Sequence, residues 1–125
     1  MGTRQVSSSG DLEIYYNREG KRIDHDTYLA HRANYDYKVV KKTVVHGNEV
    51  STVWLGIDHS FGTGSPLIFE TMVFGGPLWE SFERRYSTEQ EALLGHSIIT
   101  SMISWWYANK MGRHEWVKVS GRGNG

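Results

Sequence analysis

The chain has 125 residues and a mass of 14.3 kDa, the size of one domain that can bury a core without covalent staples. It has no cysteine, and its 14 Lys and Arg balance 14 Asp and Glu. That excludes a disulfide framework, a thiolate metal site, a cysteine nucleophile and an overall positive field for coating nucleic acid. No apolar run reaches the ~20 residues of a bilayer span, and residues 1–10 carry neither a hydrophobic signal core nor the Ser/Thr that myristoylation wants at Val6. A cytosolic protein is the default expectation, with no membrane partner and no cofactor.

Residues 1–10 and 120–125 are polar and Ser/Gly-rich and are expected as flexible tails around a single domain over 11–119. Ile14, Tyr15 and Tyr16 favour a strand, Asn17-Arg18-Glu19-Gly20 is turn chemistry, and Lys21–Ile23 returns as a second short strand. Asp24 offers a side-chain oxygen to the free amides of a helix start, which places a helix over about His25–Ala33.

Tyr37–Val45 and Glu49–Ile57 flank Gly47-Asn48, a two-residue loop suited to a hairpin. That loop would set Val45 opposite Val50, Thr43 opposite Thr52 and Lys41 opposite Trp54. One face then collects Val40, Val44, Val53, Leu55 and Ile57 as a core. The other carries Thr43, Thr52, Lys41 and Trp54, where the ammonium could rest on the indole.

Pro66 opens a third long strand ending at Gly75-Gly76-Pro77. Its two faces, Leu67, Phe69, Thr71, Val73 and Ile68, Glu70, Met72, Phe74, are both largely apolar, as in a central strand covered on both sides. Ser81–Tyr86 reads as a further strand. Ser87 or Thr88, with Gln90 or Glu91 three residues on, makes a capping box for the main helix. Ala92, Gly95, Ile99, Met102, Ile103 and Trp106 then form a stripe at helical spacing. Gly95 costs ~1 kcal/mol there, which a close approach to the sheet would offset. Leu94, Ile98 and Trp105 widen the apolar surface beyond what one sheet needs, so either the N-terminal hairpin or a second subunit should cover them. The helix should fray near Met111-Gly112. The order ββ-α-ββββ-α is α+β: an antiparallel sheet of four to six strands, a long C-terminal helix across one face and a short N-terminal helix.

The candidate site is the loop after the central strand, where Asp58, His59 and Phe61 lie beside Gly62, Thr63, Gly64 and Ser65. Asp58 is expected to cap this loop by accepting from amides near Phe61–Thr63. His59 is the candidate ligand contact, and the glycine-rich loop with Thr63 and Ser65 could cradle an anion. It is not a phosphate-binding Walker loop, because no Gly-Lys-Ser/Thr follows. Glu70 in an apolar strand needs a partner, which Arg84 or Arg85 could supply. His25 and His31 are six apart on a helix and share no face, and His96 is expected buried and neutral or exposed, so no metal site is expected. Trp54, with Arg84 and Arg85 for phosphate, completes the candidate ligand-binding set.

Ser51–Phe61 (STVWLGIDHSF), Pro66–Gly76 (PLIFETMVFGG) and Arg85–His96 (RYSTEQEALLGH) resemble, in this order, blocks of a family of small proteins encoded by tailed bacteriophages. The resemblance covers about Tyr15 to His96 and implies a phage source and the host bacterial cytoplasm, without an activity. For such a source the leading expectation is a homo-oligomeric, non-enzymatic counter-defence binder that sequesters a nucleotide-derived host immune signal. Alternatives are an inhibitor docked on a host defence protein, as anti-CRISPR proteins are, and a small metal-dependent hydrolase built on Asp58, His59 and Glu70.

Overall fold

The computed structural model describes the backbone of residues 14–60, 62, 64–76 and 79–124, with side chains up to Lys110. The expected tail at 1–10 lies outside the described residues. Strands β1 (Tyr15–Tyr16) and β2 (Arg22–Ile23) form a small hairpin and are followed by helix α1 (His25–Ala33) and a single helical turn, α2 (Tyr35–Lys38). Then come β3 (Val39–Val45), β4 (Asn48–Trp54), β5 (Phe69–Phe74), β6 (Glu83–Tyr86) and the long helix α3 (Glu89–Asn124). The four later strands make one antiparallel sheet in the order β3-β4-β5-β6, with α3 across one face. The fold is α+β, as the element order implied.

The caps are where the sequence put them. Asp24 Oδ1 accepts from Thr27 N–H at 2.8 Å to start α1. Glu91 N–H donates to Thr88 Oγ1 at 3.0 Å while Thr88 N–H donates back to Glu91 Oε1 at 3.2 Å, a reciprocal capping box at the start of α3. Asn34, which caps α2 through Asp36 and Tyr37 N–H, turns Tyr35–Lys38 into a helical turn where a strand start was expected. The long helix runs past the end expected near Met111-Gly112. A lone glycine costs only ~1 kcal/mol, and no proline follows it.

The hairpin differs from expectation in a way that matters. Its loop is His46-Gly47, both at positive φ (49° and 78°), the requirement of a type I′ turn. Asn48 is drawn into β4, fully buried, where its Nδ2 donates to the carbonyls of Val45 and His46. The register is Val45↔Asn48, Thr43↔Val50 and Lys41↔Thr52, with a bulge between Val39 and Lys41.

The core face is also the reverse of the one expected. Val50, Thr52 and Trp54 are buried, whereas Val44 is 70% exposed and Ile57 is exposed. α3 thus lies on the threonine–tryptophan face. Nor is the central strand covered on both sides among the described residues, since Phe74 is exposed opposite the helix.

The reversal follows from what α3 brings to the sheet. Three rungs cross β4, β5 and α3: Trp54, Phe69 and Ala92; Thr52, Thr71 and His96; Val50, Val73 and Ile99. The outer rungs are apolar. The middle rung is polar and self-satisfied: His96 Nδ1 lies 2.7 Å from Thr52 Oγ1, His96 Nε2 lies 2.8 Å from Thr43 Oγ1, and Thr52 and Thr71 hydroxyls are 2.5 Å apart. Burial, and after it the charge of Lys41, pushes the His96 proton affinity down, so the imidazole is neutral.

Gly95, next in the helix, lies so close to the sheet that a Cβ there would run into the Tyr86 ring and hydroxyl. Met102, expected on the buried stripe, is half exposed. It sits about 60° round from Ile99, on the solvent side.

Two outcomes follow from this packing. Gly95→Ala gains ~1 kcal/mol of helix propensity but overpacks the helix against Tyr86, so chemical denaturation should show a net loss of about 1–3 kcal/mol. For His96 the sign is set by its lowered folded-state affinity. The unfolded chain binds the proton more tightly, so this contribution is whole above ~6.5 and is lost as pH falls below it. Stability of the wild type should decline from pH 7 to pH 5, and His96→Gln should flatten that slope.

Candidate functional site

The expected loop is built around Asp58, whose carboxylate is turned onto its own loop. Asp58 Oδ1 accepts from Ser60 N–H at 2.7 Å and from Leu67 N–H at 2.9 Å, and Oδ2 accepts from Ser60 Oγ at 2.9 Å. Capping is therefore its role among the described residues, through Ser60 and Leu67, while the expected partners at Phe61 and Thr63 lie outside them. Burial opposes its charge, but these hydrogen bonds and the neighbouring His59 together hold the carboxyl below its ordinary range.

His59 Nδ1–H donates to the Ile57 carbonyl at 2.8 Å, and its backbone N–H donates to Leu67 O. Gly62 and Gly64 take positive φ and Ser65 is exposed, while Thr63 and Phe61 lie outside the described residues.

Trp54 is not an accessible platform. It is 1% exposed, its Nε1 donates to Tyr16 O at 2.9 Å, and Tyr28, Tyr37 and His31 pack round its ring. Lys41 cannot rest on it, because the true register sets Lys41 opposite Thr52. A Cβ on Gly56 would come within 2.6 Å of the Trp54 ring and 2.8 Å of Tyr28, so the glycine is required by this cage.

Glu70 finds its partner in Arg85, directly opposite on β6, with Nε 3.1 Å from Oε2. Arg85 also holds Glu83 at 2.7 Å. Burial, then the adjacent Glu83, raises the Glu70 carboxyl above its ordinary range against the pull of Arg85. This trio lies on the sheet face away from α3. Sequence reasoning missed a second ion pair, the bidentate Arg18–Glu89 bridge (2.9 and 2.5 Å), which fastens the β1–β2 hairpin to the start of α3. Only the charge types could have suggested it, 71 residues apart.

Arg84 departs from this pattern. It pairs with Thr71 and so faces the helix side of β6. Its side chain is exposed and makes no ion pair or hydrogen bond among the described residues. It lines a groove of about 540 Å³ between β6 and α3, with Phe82, Tyr86 and Ser87 on the strand side and Leu94, Ile98 and Met102 on the helix side. The Tyr86 ring is buried in this wall, and its hydroxyl, against Gly95, has no partner among the described residues. A second trough of about 350 Å³, lined by Trp79, Ser101, Met102, Trp105 and Trp106, continues the groove along the helix through Met102. Of the expected site residues, Arg84 lines this groove and Arg85 borders it on β6 with its guanidinium held by Glu70 and Glu83 on the other face, while Asp58, His59 and Ser65 remain in their loop and Trp54 in the core.

Among the described residues, no three His, Cys, Asp or Glu side chains are grouped to hold a metal ion, and no helix is long and apolar enough to cross a membrane. Compared with known proteins, the chain matches no family model, no curated sequence and no solved structure.

The Asp58 geometry predicts a structural phenotype. Asp58→Ala leaves the Leu67 and Ser60 amides without their acceptor, and equilibrium unfolding should show a loss of about 1–3 kcal/mol. Removal of the His59 ring, with one local hydrogen bond, should cost about 1 kcal/mol or less.

Proposed function

We propose that the protein is a homo-oligomeric, non-enzymatic binding protein whose ligand site is the groove between β6 and α3. The observation that carries this reading is the juxtaposition of Arg84, whose guanidinium is unpaired among the described residues, with an apolar and aromatic wall in a groove of about 540 Å³. That volume falls within the range of small-molecule sites, which are mostly apolar with a few placed polar groups.

A ligand suited to it has a flat or apolar body and negative charge, the chemistry of a nucleotide derivative. The resemblance to small phage proteins supports the role: sequestering a nucleotide-derived immune signal in the host bacterial cytoplasm. Such a binder needs no general base or metal, and Asp58 and His59 serve the loop that contains them.

A second reading, an inhibitor docked on a host defence protein, is favoured by a different observation. Val44 and Phe74 are exposed on either side of Glu49 on the sheet face away from α3. Exposed apolar groups on a flat sheet suit a protein surface better than a small molecule.

A thermal-shift panel separates these readings. A cyclic dinucleotide or an ADP-ribose derivative at a hundredfold excess over its Kd should stabilise the protein by about 2.7 kcal/mol, and Arg84→Ala should abolish the shift without lowering the unliganded melting temperature. If no member of the panel shifts the protein and Val44→Glu abolishes capture of a host protein, the inhibitor reading replaces the first.

A further inference from the structure

We propose that the solvent side of α3 is the interface with a second copy of this chain, the two helices packing antiparallel about a twofold axis near Thr100–Ser101. This specifies the oligomer in the function proposed above and rests on that reading, and its seam residues Leu94, Ile98 and Met102 are also the helix wall of the ligand groove.

Leu94, Ile98, Met102 and Trp105 follow one another at intervals of four, four and three residues, a continuous seam on the helix. They lie on the side away from His96, Ile99 and Ile103, and each is between 50% and 66% exposed. Together they present on the order of 500 Å² of apolar surface, above the ~400 Å² that an isolated soluble surface tolerates in one patch.

No described part of the same chain covers it. The β1–β2 hairpin packs at the other end of the sheet, with Tyr15 in the Trp54 cluster and Arg18 on Glu89. Residues 1–13, MGTRQVSSSGDLE, are too polar to complement an apolar seam.

The face is complementary to itself when inverted. A twofold at Thr100–Ser101 sets Leu94 of one copy opposite Trp105 and Trp106 of the other, and Ile98 opposite Met102. The aliphatic end of each seam then enters the tryptophan trough of its partner, and each Trp105 closes over the partner's groove beside β6. A parallel pair would set tryptophan against tryptophan. Ser101, small and at the centre, allows close approach.

The chain's lack of cysteine makes the symmetry directly testable. Sedimentation of the full-length protein should give a dimer, and Ile98→Glu should give a monomer with unchanged helical circular dichroism. Ser101→Cys, a near-isosteric change, should form a covalent dimer on mild oxidation, whereas Asn109→Cys should not, because the twofold separates the two copies of residue 109. A monomeric wild type, a dimer that survives Ile98→Glu, or cross-linking at 109 and not at 101 would each overturn the proposal. A dimer cross-linked at 101 that binds no nucleotide derivative would uphold this interface and reject only the ligand.

Discussion

A buried imidazole must have both ring nitrogens satisfied or it costs several kcal/mol, and in this fold three threonines of the sheet meet that demand. His96 reaches Thr52 with one nitrogen and Thr43 with the other, and Thr71 completes the group through Thr52. The constraint is directional, unlike the apolar rungs on either side. Sliding the helix by one residue moves a side chain 1.5 Å along the axis and 100° around it, which would break both bonds. The polar rung therefore sets the register of α3 on the sheet.

That register determines what the surface offers. With His96 held on the sheet, Gly95 is pressed against Tyr86 and the space beside it becomes the groove that Arg84 lines. Leu94, Ile98, Met102 and Trp105 are turned outward by the same placement. One buried cluster thus positions both the proposed ligand groove and the proposed self-association seam. The Asp58 loop is a separate, locally closed structure whose acceptors are saturated by its own backbone and Ser60.

Local signals in the sequence were legible. Asp24 and Thr88 cap the helices expected of them, and the close approach at Gly95 is the reason that glycine interrupts an apolar stripe. Glu70 does pair with an arginine across the strand. What was not legible depends on partners far apart in sequence. Val53, Leu55 and Ile57 looked like the core because hydrophobicity was the only criterion available along β4. The buried face is instead Val50, Thr52 and Trp54, since Thr52 is paid for by His96, 44 residues away. The one-residue difference in the hairpin loop has a similar origin: Asn48 reads as a turn residue, yet its amide serves the turn better from inside the strand, where it also reaches Tyr107 at 3.3 Å. The groove belongs to no single segment, so no motif announces it.

The central claim is that His96 is a neutral, sheet-bound imidazole that fixes the helix. Nitrogen-15 NMR of the histidine rings across a pH titration measures this directly. The account predicts that one ring remains neutral below the ~6.5 midpoint of an ordinary histidine, in a single tautomer with both nitrogens hydrogen-bonded, and that this resonance disappears in His96→Gln. A His96 ring that titrates near 6.5 with free exchange between tautomers would contradict it.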